Sequence, residues 1–518
     1  MNLNLTESSL MEMANKGGIE AVVKMSDVIL RSDRLRKAAV KVIEKKLRSS
    51  LNQPWSRPPR LEQEKVEAVI ALLHTVDRAL GNKKLSPASR RAIINALVMG
   101  VFLRSAQKEA VERFKAEHNG YGPPATLVIS PGKGCNLHCI GCYASSSSAA
   151  YEKLPWEIFD RIITEAETLW GARLITISGG EPFVYRDKGK GLVEAAAKHQ
   201  DSIFMTYTNG TLIDKRLADR LAEVGNIIPA ISVEGLEEKT DARRGKGVFK
   251  KVLQAMDNLN EVGVPFGISV TATRYNWQEI YSDEFINLLF KEKGAYFGWV
   301  FHYMPIGRSY TVDLMPTPEQ RLWMWRTGWE KLIMKERIFI ADFWAFGHLS
   351  DGCISSGRQN GYLYIDWNGK VMPCVFFPYS PINILDVYKN GGTLNDVLEA
   401  PFFKHIREWQ WKYEFGQTKP EENGNVLMPC PIRDHHALAR RLIEMDKPEP
   451  EDANAAAALK DPEYYRKMVE YGKRLAELTD PIWVNEYGGR SSVESDRIAA
   501  PFDIDEIMKE APVLKQAA

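Results

Sequence analysis

The stretch TLVISPGKGCNLHCIGC, residues 126–142, decides the fold of this chain. It begins as a β-rich run, Thr126–Ser130, and passes at once into a loop that carries Cys135, Cys139 and Cys142. Three and then two residues separate these cysteines. Soft thiolates at such close spacing select zinc or an iron–sulfur cluster. The stretch therefore predicts a strand followed by a metal-binding loop.

His138 is the residue that would make this a zinc site, because structural zinc takes four protein ligands. It lies inside the loop between Cys135 and Cys139, where reaching the same ion would strain the chain. Three cysteines on one loop instead suit a [4Fe–4S] cluster that leaves one iron open to a substrate or cofactor. The loop thus favours a cluster over zinc.

Beyond residue 125, short β-rich runs alternate with amphipathic helical stretches. The predicted strands are Thr126–Ser130, Leu174–Ser178, Ile203–Thr208, Ile227–Val233, Phe266–Ala272 and Tyr296–Tyr303. The predicted helices between them are Trp156–Leu169, Leu212–Val224, Phe249–Val262 and Ile280–Phe290. Six βα units in tandem predict a parallel sheet, either a partial barrel or a doubly wound sheet. Ligands are then expected at the carboxyl ends of the strands.

The cysteine spacing after the first strand resembles the signature of the radical S-adenosylmethionine (SAM) superfamily. The resemblance implies an α/β chain with a partial (β/α)6 TIM-type barrel. It also implies a [4Fe–4S] cluster on the catalytic cysteines Cys135, Cys139 and Cys142. In this family the reduced cluster cleaves SAM to methionine and a 5′-deoxyadenosyl radical, which abstracts a hydrogen atom from an unreactive C–H bond. A reducing partner such as flavodoxin or ferredoxin is implied as well.

The second predicted strand ends in Ser178-Gly179-Gly180-Glu181-Pro182. Two glycines permit a tight turn and a close approach of the backbone to a ligand. The turn resembles the GGEP element of the family, and the resemblance assigns contacts with the SAM amino group to Gly179, Gly180 and Glu181. An ordinary turn with an acid that caps the next helix is the alternative for this motif alone.

The fourth predicted strand is followed by motifs similar to the SxDG and HDxxRG elements of the family, which meet the SAM ribose and carboxylate. The chain reads SVEG at residues 232–235 and TDARRG at residues 240–245. Ser232 and Arg244 match the family, and a guanidinium suits a carboxylate. Glu234 replaces an aspartate and Thr240 a histidine, so these two positions are the weaker matches. Ser232, Glu234 and Arg244 are the cofactor-binding candidates here.

Two further positions complete the expected SAM site. Thr208-Asn209-Gly210, at the end of the third strand, is similar to another SAM-facing element, with a simple Asn-Gly turn as the alternative. Gly141 stands where many relatives carry an aromatic residue beside the adenine, and Tyr143 is the candidate that replaces it. Tyr303, by contrast, is expected to be a core aromatic residue.

The remaining cysteines form a dispersed second group, Cys353, Cys374 and Cys430. The segment YLYIDWNGKVM, residues 362–372, predicts a β-hairpin around its Asn-Gly turn that carries Cys374 toward Cys353. The spacing of Cys353, Gly369 and Cys374 resembles the CX(9–15)GX(4)C pattern of the extensions called SPASM and twitch domains. That resemblance implies an auxiliary [4Fe–4S] cluster on the three cysteines.

Three thiolates leave the auxiliary cluster one ligand short. Either one iron stays open, or Asp434, His435 or His436 supplies the fourth ligand. The chain has fewer cysteines than a full SPASM domain, so we expect a single auxiliary cluster. The alternative is that the three cysteines are buried apolar residues without metal.

Composition excludes several classes of function. The 518 residues include 68 Lys and Arg against 67 Asp and Glu, so no global charge favours nucleic acid. Six cysteines are too few for a disulfide scaffold. The longest apolar run, Ala92–Leu103, is too short for a membrane span. The first residues lack the basic start of a secretory signal, so a cytosolic location is expected.

Residues 1–120 are predicted to be helical, with breaks at Pro54, Pro58 and Pro59. Residues 24–48 carry nine basic and three acidic side chains. Such a stretch allows peripheral contact with an anionic membrane, and a membrane-associated location is then the alternative to a purely cytosolic one. A solvated helix face packed on the next domain is the other interpretation.

We predict four regions. They are a helical N-terminal domain (1–122), a radical SAM partial barrel (123–315), a small α+β auxiliary-cluster domain (316–440) and a helical C-terminal extension (441–518). By analogy with enzymes that carry this extension, the predicted function is radical modification of a peptide or protein. Modification of a lipid or another membrane-borne substrate is the alternative. A small-molecule substrate in a cofactor pathway is a further alternative, and a non-catalytic iron–sulfur electron-transfer protein is the alternative outside the enzymes.

Overall fold

The computed structural model describes residues 32–51, 58–101, 105–417 and 419–502. Its N-terminal part is a layer of four helices: α1 Asp33–Ser50, α2 Pro59–Gly81, α3 Pro87–Val101 and α4 Ser105–Glu117. Proline fits the first turn of α2 and α3, where its missing N–H would have no intrahelical acceptor. The predicted helical N-terminal region is confirmed for the described residues, whereas residues 1–31, which include part of the basic stretch, and residues 52–57, which include Pro54, lie outside them.

Six parallel strands then follow in chain order: β1 Thr126–Ile129, β2 Leu174–Ile177, β3 Ile203–Thr208, β4 Ile227–Val233, β5 Gly267–Ala272 and β6 Phe297–His302. They are connected by α5 Trp156–Leu169, α6 Leu192–Lys198, α7 Lys215–Val224, α8 Glu237–Arg244, α9 Val248–Val262 and α10 Asp283–Ile286. Each strand pairs with the next in parallel. The predicted α/β partial barrel is confirmed.

The sheet continues beyond the six predicted strands on both sides. After α11 Pro318–Thr327, strand β7 Phe339–Asp342 pairs in parallel with β6. The predicted hairpin forms from β8 Tyr364–Ile365 and β9 Lys370–Met372, and β8 adds in parallel to β1. Residues on both sides of the predicted boundary at 315/316 thus share one sheet. The division into four regions itself stays a prediction.

The rest of the described chain consists of short strands and helices around this sheet. The strands are β10 Tyr379–Ser380, β11 Ile382–Asn383 and β12 Glu449–Pro450. The helices are α12 Ile384–Lys389, α13 Leu394–Val397, α14 Pro401–Gln410, α15 Pro431–Asp434, α16 His436–Asp446, α17 Ala453–Ala458, α18 Pro462–Ile482 and α19 Ser492–Ala499. In the described part of the chain, none of the helices combines the length and apolarity that a bilayer crossing needs.

The barrel has a packed outside and an incompletely filled inside. On β3, Phe204, Thr206 and Thr208 are buried against the helices and neighbouring strands, whereas Met205 and Tyr207 keep part of their surface uncovered. The same alternation occurs on β6 and β7. Successive strand side chains point to opposite faces, so the partly uncovered set faces the barrel interior. The interior therefore holds cavities rather than a closed core.

Candidate active site

The loop between β1 and α5 holds the first cysteine group at the carboxyl end of the barrel. The loop folds back on itself, with Cys135 N donating to Ser147 O at 3.0 Å. Cys135, Cys139 and Cys142 all line one cavity of about 360 Å³, here called the cluster cavity. Burial raises the pKa of the Cys135 thiol to about 12. A bound iron–sulfur cluster, which takes thiolates, would offset that cost.

The zinc interpretation finds no support in this loop. His138 is exposed and its ring Nδ1 lies 2.8 Å from Nη1 of Arg308. Among the described residues, no three His, Cys, Asp or Glu side chains have the geometry to hold one metal ion. In a cluster each thiolate binds a different iron, so the sulfur atoms need not converge on one point. The donor set therefore fits a cluster.

Gly141 allows the cysteine loop to approach the end of β6. Its φ is +62°, and a Cβ at this position would lie 2.5 Å from Cε2 of Tyr303. The ring of Tyr303 thus packs against the position at which the family carries an aromatic side chain. Tyr303 is buried in a core cluster with Met315 and Tyr464, as expected, and it also lines the cluster cavity.

The turn after β2 is hydrogen-bonded directly to the cysteine loop. Gly180 N donates to Gly132 O at 3.0 Å, and Glu181 N donates to Gly134 O at 2.9 Å. A Cβ on Gly180 would lie 2.2 Å from Gly134 O, so the space excludes a side chain. Gly179 and Gly180 line the cluster cavity. The two motifs predicted separately therefore form one rigid unit.

The Glu181 carboxylate is buried next to this unit but does not itself line the cavity. Its Oε1 accepts from the Thr208 hydroxyl at 2.7 Å and from Phe183 N at 3.2 Å, and its Oε2 accepts from Asn209 N at 2.8 Å. Burial raises the pKa of Glu181 to about 6. A carboxylate offers about four acceptor positions, so about one remains for an amino group.

Thr208 and Asn209 connect Glu181 to the cysteine loop. Asn209 Nδ2 donates to Asn136 Oδ1 at 2.9 Å and to Cys135 Sγ at 3.8 Å. Both Thr208 and Asn209 line the cluster cavity. The Asn-Gly turn is therefore more than a chain reversal, because its side chain and backbone tie a cysteine to the buried carboxylate.

Glu234, which replaces the aspartate of the family, pairs with two arginines. Its Oε1 lies 2.6 Å from Nη1 of Arg243 and 2.5 Å from Nη2 of Arg244. Its Oε2 accepts from Thr271 N at 3.1 Å. Ser232, Arg243 and Arg244 line the cavity, whereas Glu234 does not. The motif at residues 240–245 predicted a role for Arg244. It did not single out Arg243, the preceding residue, which also lines the cavity.

Thr240, which replaces the histidine of the family, serves the backbone. Its hydroxyl oxygen accepts from Glu234 N at 3.0 Å, and the hydroxyl donates to Gly235 O at 3.0 Å. The side chain is fully buried and does not line the cavity. Thr240 thus fixes the turn between β4 and α8.

Tyr143 holds the turn after β2. Gly179 N donates to its hydroxyl oxygen at 2.9 Å, and Ser178 Oγ lies 2.6 Å from that oxygen. Its ring meets Phe376 edge to face, with the centroids 6.1 Å apart. Tyr143 lines the cluster cavity, as expected for a residue near SAM, but its hydroxyl is already committed to protein partners.

The second cysteine group converges from three distant segments. Cys353, Cys374 and Cys430 all line a second cavity of about 430 Å³, here called the auxiliary cavity. Cys374 directly follows Pro373 at the end of the hairpin, and Cys430 precedes α15. Burial raises the pKa of the Cys430 thiol to about 12 and also raises that of Cys374. Three thiols on one cavity, one buried and two partly buried, fit an auxiliary cluster.

Asp434 and His435, two of the three candidates for a fourth ligand, are engaged elsewhere. Asp434 forms a two-point ion pair with Arg321, at 2.6 and 3.0 Å, which holds the pKa of its carboxyl well below the usual range despite burial. His435 Nδ1 lies 2.6 Å from Oδ2 of Asp496, and its Nε2 lies 2.7 Å from Met428 O. Neither residue is free to bind iron in this arrangement.

His436, the third candidate, is buried, and its Nδ1 lies 2.7 Å from Ile432 O. Its Nε2 has no hydrogen-bond partner among the described residues. The ring does not line the auxiliary cavity; it meets the ring of Tyr464 edge to face. The geometry therefore favours an auxiliary cluster held by three thiolates.

The two cavities that contain the cysteine groups share part of their walls. The cluster cavity and the auxiliary cavity are both lined by Trp299, Phe343, Ile354, Tyr362 and Phe376. These shared residues are aromatic or aliphatic, and they separate the two groups of thiols. A substrate in the cluster cavity would thus lie between both cysteine groups.

A partial parallel barrel with three thiols on a loop at its carboxyl end, beside an apolar cavity, defines an enzyme that works with an iron–sulfur cluster and a small cofactor. Residues 129–284 match the radical SAM superfamily. With the relatives described next, this match shows that the chain belongs to that superfamily. It is therefore an enzyme that uses SAM and a [4Fe–4S] cluster.

The relatives are named for different activities. Mycofactocin maturase MftC of Mycolicibacterium smegmatis is 31% identical over 313 residues, which cover 58% of this chain and 76% of that protein. Fe-coproporphyrin III synthase of Methanosarcina barkeri is 34% identical over 156 residues, which cover 30% of this chain and 38% of that protein. Among solved structures, Streptococcus suis SuiB bound to precursor peptide SuiA is 20% identical with a TM-score of 0.48, covering 58% of this chain and 70% of that one.

Proposed function

We propose that this enzyme abstracts a hydrogen atom from an unactivated C–H bond of a substrate held between the two cysteine groups. The observation that carries the proposal is the set of shared walls, because a molecule in the cluster cavity touches the first group and is separated from the cavity of the second group by these side chains. When bound, the reduced cluster and SAM supply the 5′-deoxyadenosyl radical. The protein supplies the binding surfaces and keeps water out of the cavity.

The SAM-side residues divide into ligands and positioning groups. Cys135, Cys139 and Cys142 hold the cluster. The backbone of Gly179 and Gly180 receives SAM, with the Glu181 carboxylate accepting from its amino group. This assignment is supported by the close contact between the turn after β2 and the cysteine loop.

The residues that follow β4 are proposed to bind the ribose and the carboxylate of SAM. Ser232 is proposed to meet the ribose, and Arg244, with Arg243 beside it, the carboxylate. Glu234 orients both guanidinium groups from behind the cavity wall. Tyr303, packed on Gly141, is proposed as the aromatic neighbour of the adenine instead of Tyr143.

The second group is proposed to hold an auxiliary [4Fe–4S] cluster through Cys353, Cys374 and Cys430, with one iron without a protein ligand. Asp434 and His435 are excluded as ligands by their own partners. The auxiliary cluster would accept an electron from the substrate or bind it, and an external reductant such as flavodoxin or ferredoxin would serve the first cluster.

A peptide or protein is the first substrate class to test. Support comes from relatives that carry the name of maturation enzymes, such as MftC and the sporulation killing factor maturation protein SkfB of Bacillus subtilis. Other relatives are named for coproporphyrin and heme synthesis, so the names do not agree on one substrate. A lipid is the second candidate, favoured by the apolar walls between the cysteine groups.

The reaction is tested by anaerobic reconstitution, iron and sulfide counts, and an assay for 5′-deoxyadenosine with dithionite. We expect about eight irons per chain and formation of 5′-deoxyadenosine, since two [4Fe–4S] clusters are proposed. About four irons would remove the auxiliary cluster. No cleavage of SAM by the fully loaded protein, with either class of substrate present, would contradict the proposed reaction.

A further inference from the structure

A third and larger cavity lies at the amino ends of the strands, between the barrel and helices α2, α3 and α4. Its volume is about 920 Å³, and it is here called the basal cavity. It shares Leu174, Met205 and Trp299 with the cluster cavity, and Leu72, Trp299 and Phe339 with the auxiliary cavity. Trp299 thus lies where all three cavities meet.

The basal cavity and the cluster cavity follow one another along the length of the barrel. On β3, Ile203 lines the basal cavity, Met205 lines both cavities, and Tyr207 lines the cluster cavity. From Ile203 to Tyr207 a strand advances about 13 Å, at roughly 3.3 Å per residue. A ligand that follows this strand would be long and narrow.

The barrel side of the basal cavity is apolar. It is formed by Leu174, Ile203, Met205, Ile228, Phe297 and Phe339. Leu174 keeps 39% of its surface uncovered although it belongs to a barrel strand. The indole N–H of Trp299 is buried and has no hydrogen-bond partner among the described residues.

The apolar barrel side of the basal cavity favours a hydrocarbon chain over a peptide. Every residue of a peptide brings a backbone N–H and C=O that must find partners when buried, and leaving them without partners is costly. Apart from the indole N–H of Trp299, the strand side chains offer a peptide backbone no such partners. A hydrocarbon chain needs none, and each methylene that it buries adds to binding.

Charged side chains occur on the helical side of the basal cavity. Lys108, Glu112 and Lys115 of α4 line it, together with Arg173 just before β2. Lys115 pairs with Glu112 at 3.1 Å, while Lys108 is exposed. A chain with an anionic head at this edge and an apolar tail in the barrel would match the distribution of charge.

The outer surface of the helical layer points to the source of such a chain. Helix α1 has seven basic and two acidic residues, and it is joined to α2 by ion pairs such as Arg36 with Asp77. Its Lys41 and Lys45 are exposed, and so is Val42, at 68%. Exposed cations around an exposed apolar side chain match an anionic membrane surface.

We propose that the basal cavity binds the hydrocarbon chain of a membrane lipid, and that this chain extends past Trp299 to present its C–H bonds in the cluster cavity. The α1 surface would hold the protein on the anionic bilayer that supplies the lipid. The identity of the substrate rests on the proposed radical SAM reaction, but the binding of the chain does not.

Binding is measured on the reconstituted holoenzyme with the fluorescent fatty acid cis-parinaric acid and its displacement by palmitate. Ile228→Trp places a larger side chain in the basal cavity where it meets the barrel strands, and Ile228→Leu is the matched control of nearly equal volume. We expect saturable binding to the parent and to Ile228→Leu, weakened about tenfold or more in Ile228→Trp. Absence of displaceable binding, or equal binding by Ile228→Trp, would overturn the proposal.

The membrane contact is measured by sedimentation with vesicles of phosphatidylcholine containing phosphatidylglycerol. Lys41→Glu/Lys45→Glu should lower the bound fraction by about tenfold or more, because each cation near an anionic surface adds to binding and each glutamate is repelled by it. Lys250→Glu/Lys251→Glu, on the exposed side of α9, is the matched control and should bind like the parent. Equal loss in both variants would contradict a role for α1.

The outcomes separate this proposal from the reaction on which it rests. Acyl-chain binding without any 5′-deoxyadenosine would retain the cavity assignment and contradict the reaction. SAM cleavage that a lipid fails to stimulate, but an apolar peptide stimulates, would overturn the lipid in favour of the peptide. SAM binding by Ile228→Trp serves as the check that the cluster cavity is intact.

Discussion

The two cysteine groups are built in opposite ways. Cys135, Cys139 and Cys142 lie within eight residues of one loop, whereas Cys353, Cys374 and Cys430 come from three segments between residues 353 and 430. The first group is positioned by backbone contacts with neighbouring turns of the barrel. The second depends on a hairpin, a short helix and buried charges. A site built on one loop is held in place by local contacts, whereas a dispersed site depends on the whole fold.

The largest effect should come from removing each cysteine group in turn. Cys135→Ala/Cys139→Ala/Cys142→Ala should abolish formation of 5′-deoxyadenosine and leave about four of about eight irons. Cys353→Ala/Cys374→Ala/Cys430→Ala should also lose about four irons but keep SAM cleavage, measured without substrate. Equal loss of cleavage in both variants would show that the two groups are not separate sites.

Gly180→Ala tests whether the first group depends on backbone contact. The added Cβ would lie 2.2 Å from Gly134 O and push the cysteine loop away from the turn after β2. We expect SAM cleavage to fall by about tenfold or more, with the irons of the second group retained. Gly132→Ala is the control in the same loop, since its Cβ would only touch the Tyr185 ring at 3.4 Å. Similar activity in the two variants would contradict this account.

Arg321→Met tests the dependence of the second group on buried charge. It leaves Asp434 without its main partner, and Asp434 accepts from Cys430 N at 3.1 Å. Breaking a buried ion pair costs about 3–5 kcal/mol, so the urea midpoint should fall and the second cluster should load poorly. Arg321→Lys keeps a positive charge opposite Asp434 and should recover part of the midpoint that Arg321→Met loses. No recovery would show that Arg321 acts through its packing.

The smallest expected effect is a pH dependence of the affinity for SAM. Burial raises the pKa of Glu181 to about 6, so the carboxylate loses its charge as the pH falls below that value. The α-amino group of SAM stays protonated there, because such groups titrate near 7.7–8.0. SAM affinity, measured by equilibrium dialysis, should therefore fall several-fold between pH 7 and pH 5. Glu181→Gln should bind weakly at both values, and a parallel fall in that variant would assign the effect to another group.

The sequence predicted much of the barrel because local signals agreed there. Strands β3 and β4 have the predicted bounds, and the cysteine loop follows β1 as expected. Strand β7 was missed because its four residues lie in a segment without βα rhythm, and only pairing with β6 defines it. The partners of Asp434 and His435 could not be predicted from the sequence either, because Arg321 and Asp496 are more than 60 residues away in the chain.

The sequence by itself determined the family, the first cysteine group and the order of the barrel strands, because each of these depends on residues close together in the chain. The tertiary structure alone decided that the cavities of the two cysteine groups share wall residues, and that Tyr303 takes the place beside Gly141. It also decided that a third cavity lies at the amino ends of the strands and shares Trp299 with both. A cavity forms where side chains from several strands leave space between them, and no local sequence pattern predicts that space.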